Sequence, residues 1–171
     1  LARVGYERLE ETADPELAIN RALKTYLQKG YSREWVNQRL KSIEIRKALT
    51  DEWEKRGVKE GAEFAILTDE ITLAWAGLTT KQYKNLKELK KENLRDNMSN
   101  LELVLNMLAE TATTEISEKR EPKDFLENKK VAREGGTIAG HARKQIERKT
   151  GRSLVSRENF KIRKKKELPD Q

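Results

Sequence analysis

Few residues in this chain are of a type that does chemistry. The sequence has one histidine, His141, and no cysteine. A lone histidine has no second soft ligand with which to share a metal and no thiol to activate, so His141 is interpreted as a surface residue. The acidic pairs Asp51-Glu52 and Asp69-Glu70 could offer carboxylates to Mg²⁺, but adjacent residues on a helix point about 100° apart, which favours solvated acids. The sequence therefore predicts a protein that is not an enzyme and has no cofactor and no metal; a divalent-metal nuclease is the remaining catalytic alternative.

The glycine-rich segment GGTIAG, residues 135–140, has two interpretations. Glycine-rich loops cradle phosphates at helix N-termini. Here no hydrophobic strand precedes the segment and no Lys-Ser/Thr follows its last glycine, so a nucleotide-binding fingerprint is not met. Ala132, Gly136 and Gly140, in contrast, are spaced by four and form a small-residue stripe that lets another helix approach closely. The spacing favours helix packing, with a dimer contact as one form of it, over phosphate binding.

Basic residues surround this stripe and are candidates for contact with a phosphate backbone. On a straight helix Lys129, Arg133 and Arg143 fall near one side, and Lys144 lies at its edge. No aromatic residues are interleaved for base stacking, which disfavours single-strand recognition. The candidate nucleic-acid-binding residues are Lys129, Lys130, Arg133, Arg143, Lys144, Arg148 and Lys149.

The net charge of +7 is unevenly distributed along the 171 residues. Residues 1–118 contain 19 Lys/Arg against 21 Asp/Glu, a net of −2, whereas residues 119–171 contain 17 against 8, a net of +9. Excess positive charge in one third of a chain indicates either a polyanion-binding surface or a solubilising tail. Charge alone does not separate the two.

The clearest structural element runs from Asn93 to Ile116. Its segment Ser99-Asn100-Leu101-Glu102 is a capping box, which predicts a helix start at this point. A repeat of three and four residues follows and predicts a buried stripe on that helix. Its members are Leu101, Val104, Leu105, Leu108, Ala112 and Ile116.

Other segments are also typical of helices. Asp14-Pro15 predicts a helix start with one apolar face at Ile19, Leu23, Tyr26 and Leu27. The next stripe changes phase, which predicts a bend or break near Ser42. Glu60–Ala76 could be read as strands, but its spacing favours a helix. Thr68–Leu89 fits a helix–turn–helix loosely, and a helical hairpin in the core fits better.

These patterns predict an all-α protein, a multi-helix bundle with a long basic C-terminal helix and a disordered basic tail. The predicted divisions are a helical core at 1–118, a basic glycine-striped extension at 119–160 and the tail at 161–171. No apolar run approaches the roughly 20 residues that a membrane span needs, so no membrane partner is expected.

Four segments carry a resemblance to a known family. They are LARVGYERLEETADPELAINRALKTYLQKGYSREWVNQRLKSIEIRKALTDEW, EFAILTDEITLAWAGLT, KKENLRDNMSNLELVLNMLAE and FLENKKVAREGGTIAGHARKQIERKTGRSLVSRENF. Together they resemble the C-terminal region of BRO-N-domain proteins, which are prophage antirepressor-like and related to the damage-inducible protein D family. The likeness runs from Leu1 to about Phe160, and ENLRDNM and GGTIAGHAR are its most specific parts.

The resemblance implies a cytoplasmic regulatory protein of bacterial or phage origin, with no catalytic residues to carry over. In the family a DNA-binding BRO-N domain precedes this region, and LARVGYERLEE resembles the end of that domain. We therefore expect a fragment that acts as a regulatory module through self-association or contact with a repressor or repair protein, with auxiliary DNA contact. The alternative is a module that binds DNA directly through its basic C-terminal third. A RecA-modulating DNA-damage response protein is a further possibility that the resemblance implies.

Overall fold

The computed structural model describes residues 15–160, which form six α-helices and one 3-10 turn, with no strand in that range. The predicted all-α class is therefore confirmed. The predicted disordered tail from Lys161 and the segment LARVGYERLEE lie outside the described residues. The helices are α1 (Pro15–Gln28), α2 (Arg33–Lys55), α3 (Ala62–Ala76), α4 (Thr80–Leu86), α5 (Asn100–Arg120) and α6 (Phe125–Thr150), and the 3-10 turn is Arg95–Asn97.

The chain divides into two compact units after Asn37. The predicted boundary at 118/119 instead falls inside the second unit, because α6 packs against both α3 and α5. In the first unit the ring of Tyr31 stacks on that of Trp35, with centroids 4.1 Å apart. The predicted apolar face of α1 is largely open to solvent, since Ile19 is 56% and Leu27 38% exposed.

Helix α2 runs without interruption, so the predicted break near Ser42 is absent. The apparent change of phase arises because Ile43, counted in the first stripe, is 46% exposed and does not belong to the buried face. The Ser42 hydroxyl donates to the carbonyl of Arg39 at 2.7 Å, and the Arg39 guanidinium pairs with Asp96 at 2.8 Å. Polar contacts, as well as apolar packing, therefore hold this helix in the second unit.

Helices α3 and α4 are joined by the short segment 77–79. Residues 62–76 are helical rather than extended, and Gly77 ends α3 in the left-handed conformation, with its N–H donating to the carbonyl of Leu73. Thr79 and Gln82 form a capping box that begins α4. Tyr83 is fully buried and packs edge-on against Trp75. The two helices thus contribute aromatic residues to the core, and the hairpin stays a prediction.

Helix α5 begins at the predicted capping box, where the Ser99 hydroxyl accepts from the N–H of Glu102 and the Glu102 carboxylate accepts from the N–H of Ser99. The predicted buried stripe is only partly correct, because Val104 and Leu108 are 41% and 39% exposed. The face that is buried is rotated and largely polar. It carries Glu102, Leu103, Leu105, Asn106, Ala109, Glu110, Thr113 and Ser117.

Buried polar groups on α5 are stable because partners from distant segments meet them. Glu102 and Lys87 are both fully buried and form an ion pair at 2.8 Å, and the Tyr83 hydroxyl donates to the same carboxylate. The Lys87 ammonium also donates to the carbonyl of Glu158 at 2.7 Å. One turn from the C-terminus of α5, the Ser117 hydroxyl donates to the carboxylate of Glu52, which is a buried residue of α2.

Tyr83 gives the fold a dependence on alkaline pH. Burial, and next the neighbouring Glu102 carboxylate, raises the pKa of the Tyr83 phenol above its ordinary value. The folded state holds the neutral phenol, so its contribution to stability is complete below the unfolded-state pKa of about 10 and is lost as the pH rises above it. In urea denaturation we expect the free energy of unfolding above about pH 10 to fall more steeply in the wild type than in Tyr83→Phe, by about 1.4 kcal/mol per pH unit. If the free energy of unfolding falls equally steeply with pH in the two proteins, Tyr83 is not the cause of the alkaline loss of stability.

Candidate nucleic-acid interface

The element that carries the candidate interface is α6. The Asp124 side chain caps its first turn by accepting from the N–H of Glu127 at 2.9 Å. Gly151 ends it in the left-handed conformation, with φ at 68°. Between these two ends the helix has an inner face of small residues and an outer face of charged residues, as the sequence predicts.

The inner face lies against the chain's own helices. Ala132, Gly136 and Gly140 are buried, and a methyl group added at Gly136 would lie 2.6 Å from the carbonyl oxygen of Ile71 in α3. At Gly140 it would lie 2.5 Å from the carbonyl oxygen of Ala74, also in α3. The stripe therefore serves helix packing inside the chain, as its spacing predicts. Because α3 of the same chain covers Gly136 and Gly140, the contact seen at these positions is not one between two copies of the protein.

Three of the seven predicted basic residues are engaged with carboxylates. Lys129 and Arg133 both pair with Glu70 of α3 at 3.0 Å. Arg143 is 15% exposed and pairs with Glu147 at 3.5 Å. These three cations are therefore less available to a phosphate backbone than their positions in the sequence suggest.

The carboxylate of Glu70 in α3 is taken up by ion pairs with two cations of α6. Burial works to raise its pKa, but the hydrogen bonds from Lys129 and Arg133 outweigh that effect and lower the pKa of the carboxyl below its ordinary value. Its neighbour Asp69 accepts instead from the N–H of Thr80 at 3.0 Å. In the other acidic pair, Asp51 meets Lys47 on the surface while Glu52 is buried against Arg56. Among the described residues no three His, Cys, Asp or Glu side chains come together in a group able to hold a metal ion.

The other four predicted basic residues are exposed and have no ion pair with any described residue. Three of them, Lys144, Arg148 and Lys149, belong to the C-terminal end of α6. Arg152, just beyond the helix, is likewise exposed and has no ion pair with a described residue. Lys144, Arg148 and Arg152 line one surface depression, and we call these three residues the basic face. Lys149 is about 100° from Arg148 around the helix axis and is not a member of it. Lys130 lies on the same side of α6 but about 21 Å from Lys144 along the axis.

The acidic residue in the last turns of α6, Glu147, lines the same surface depression as the basic face but is engaged by other groups. The Glu147 carboxylate accepts from the N–H of Leu154 at 2.8 Å and from the Ser153 hydroxyl at 3.4 Å, besides its pair with Arg143. Glu147 therefore holds residues 153 and 154, which follow the helix, against its last turns. His141 and Gln145 join Lys144, Arg148 and Arg152 in lining a surface depression there.

Sequence reasoning did not single out Arg152 and Arg157. Both follow the helix stop at Gly151, and a search for basic residues at helical spacing ends there. Arg157 is exposed and has no ion pair among the described residues. The signal that could have found them is the charge count itself, because it includes both residues in the positive third of the chain.

The comparisons with known proteins identify no relative: no family model, no curated protein and no solved structure matches the chain. No helix in the described part of the chain is long and apolar enough to cross a membrane.

Proposed function

We propose that this chain is a non-enzymatic helical module of an antirepressor-like regulator, and that it contacts duplex DNA through its basic face. The observation that carries the proposal is the segregation of charge on α6. In its first half Lys129 and Arg133 are paired with Glu70 and only Lys130 is exposed and unpaired among the described residues. Beyond Arg143, which pairs with Glu147, the cations Lys144, Arg148 and Lys149 are all exposed and unpaired among those residues. When unpaired cations neutralise phosphates, counterions condensed on the DNA are released, and this release drives non-specific DNA binding.

The dimensions of the basic face suit a phosphate backbone. Lys144 lies six residues before the end of α6 at Thr150, or about 9 Å at helical rise, and Arg152 follows two residues after that end. A duplex carries one negative charge per about 1.7 Å of its axis, so a stretch of about 9 Å offers about five phosphates. Each member of the basic face can thus find its own phosphate. The sequence continues with KIRKKK from Lys161, outside the described residues, which adds five positive charges to the C-terminal third of the chain.

DNA contact is favoured over self-association because the surface offered for self-association is occupied. Gly136 and Gly140 are covered by α3 of the same chain. Contact with a repressor or repair protein, and origin in the cytoplasm of a bacterium or in a phage, follow from the resemblance to BRO-N-domain proteins and are part of the same proposal.

A structural explanation competes for part of the basic face. Cations in the last turn of a helix are stabilised by the partial negative charge of its C-terminus, by about 0.3–1 kcal/mol each. This accounts for Arg148 and Lys149, which lie in that turn. It does not account for Lys144, more than a turn earlier, or for Arg152, which lies beyond the helix. A test of function should therefore include these two outer residues.

We expect the triple variant Lys144→Gln, Arg148→Gln, Arg152→Gln to bind a short duplex at least about tenfold more weakly than the wild type at low salt. The measurement is fluorescence anisotropy with labelled duplex, in EDTA so that cleavage by a divalent-metal nuclease does not interfere. The matched control is Lys81→Gln, Lys90→Gln, Lys91→Gln, which removes three exposed lysines elsewhere. Both variants lower the net charge from +7 to +4. Equal losses in the two variants, or no binding by the wild type, would contradict the proposal.

A further inference from the structure

A cavity of about 200 Å³ lies among α3, α4, the 3-10 turn and α5, remote in sequence from the basic face. Its wall changes from exposed and half-exposed residues to buried ones, so it leads from the surface into the core. Leu94 and Met98 are the apolar residues of the wall. The polar residues of the wall are Thr68, Thr72, Thr80, Lys84, Asn93, Arg95 and Asn106.

Two donor groups on this wall have no hydrogen-bond partner. Asn106 is 3% exposed, yet its side-chain Nδ2 donates to nothing. The Nε of Arg95 is also buried and unpartnered. A buried donor without an acceptor costs about 1–3 kcal/mol, so such groups normally have a partner. Both of these groups need an acceptor, which points to an occupant that accepts hydrogen bonds; the Oε2 of Glu110 is also buried and unpartnered, but Glu110 does not line the cavity.

The charges around the cavity favour an anion. Lys84 and Arg95 line it and no carboxylate does. Lys84 is half-exposed and has no ion pair with a described residue, so its charge is available. Arg95 shares the buried carboxylate of Glu110 with Arg46, at 2.6 and 3.5 Å, so one negative charge faces two positive ones.

A second carboxylate bonded to a lining residue is that of Asp69, which accepts from the N–H of Thr80. Among these five groups, three cations thus stand against two carboxylates. The Arg46 guanidinium also donates to the hydroxyl of Thr68 at 2.7 Å. This hydrogen bond fixes the position of Thr68 in the cavity wall.

From these observations we propose that this cavity binds a small molecule through a phosphate or carboxylate group. The oxyanion accepts from the Asn106 amide and the Arg95 guanidinium, and Lys84 at the mouth supplies the counter-charge. The volume corresponds to about seven water molecules at about 30 Å³ each, which suits an oxyanion with a few carbon atoms. Leu94 and Met98 lie against the carbon part.

The test follows the side-chain amide of Asn106 by NMR in the ¹⁵N-labelled full chain. Inorganic phosphate and acetate are titrated separately, with chloride holding the ionic strength constant. We expect a saturable shift of the Asn106 amide with at least one of the two probes, and the probe that binds more tightly identifies the group. Lys84→Gln should weaken this binding at least about tenfold, as expected for the loss of one charge-assisted contact. The matched control Lys81→Gln, on the exposed side of α4, should change it less than about twofold.

Several outcomes would overturn the site. If neither probe shifts the Asn106 amide, or if the shift rises linearly without saturation, the cavity holds water only. If Lys84→Gln and Lys81→Gln weaken the binding of the anion equally, the anion is attracted by the overall positive charge and not by a site at Lys84. Binding at the cavity should also persist in the basic-face triple variant, so this result is independent of the DNA measurement.

Discussion

Replacing Gly136 by alanine is expected to lower the free energy of unfolding by about 2–3 kcal/mol. The added methyl group would lie 2.6 Å from the carbonyl oxygen of Ile71 and 2.7 Å from the Cβ of Ala74. The first of these atoms is backbone, so the clash is relieved only if α3 and α6 move apart. Chemical denaturation monitored by circular dichroism measures the loss.

The sign of this effect is diagnostic. In an exposed helix interior, glycine to alanine stabilises by about 1 kcal/mol, because alanine has the higher helix propensity. Thr137→Ala, at the next position of the same helix, is the matched control and should stay within about 0.5 kcal/mol of the wild type. If Gly136→Ala is as stable as the wild type or more stable, α6 does not pack on α3 at this distance.

Glu102→Gln is expected to destabilise the chain by about 3–5 kcal/mol, the cost of breaking a buried ion pair on one side. The substitution keeps the side-chain shape and the acceptor for the N–H of Ser99, so the capping box survives. It removes the negative charge that faces Lys87, and both residues are 0% exposed. The free energy of unfolding from urea denaturation is the measurement.

The double variant Lys87→Met, Glu102→Gln separates charge from packing. Removing both charges should recover most of the loss, since a buried ion pair can often be replaced by apolar residues of similar size at little cost. If the double variant is as unstable as Glu102→Gln alone, the loss of stability does not come from leaving the Lys87 ammonium buried without its carboxylate. Lys87 also donates to the carbonyl of Glu158, so some loss should remain.

Local signals in the sequence predicted the helices well and their orientation poorly. The capping box at Ser99 and Glu102 was readable because both partners lie within one turn. The buried face of α5 could not be predicted, because a glutamate is expected to be exposed unless a cation pairs with it. The cations that pair with Glu102 and Glu110 come from other segments of the chain. The predicted stripe placed Val104 and Leu108 in the core on hydrophobicity alone.

The same limit applies to the candidate sites. Seven basic residues in one helix look equivalent in sequence, yet Lys129 and Arg133 meet Glu70 about 60 residues away and the others do not. The spacing of the glycine stripe correctly predicted close packing of a second helix. Spacing alone does not say which helix packs there. The cavity at Asn106 has no sequence signal, because its walls come from four separate segments.

The salt dependence of DNA binding tests the central claim most directly, because it counts the phosphates that the basic face neutralises. The logarithm of the binding constant falls by about 0.9 per neutralised phosphate for each unit of log salt concentration. The triple variant at Lys144, Arg148 and Arg152 should therefore have a slope shallower than that of the wild type by about 2.7, while the Lys81, Lys90 and Lys91 control keeps the wild-type slope. A slope that is unchanged in the first variant, or equally shallow in both, would contradict the assignment of DNA contact to the end of α6.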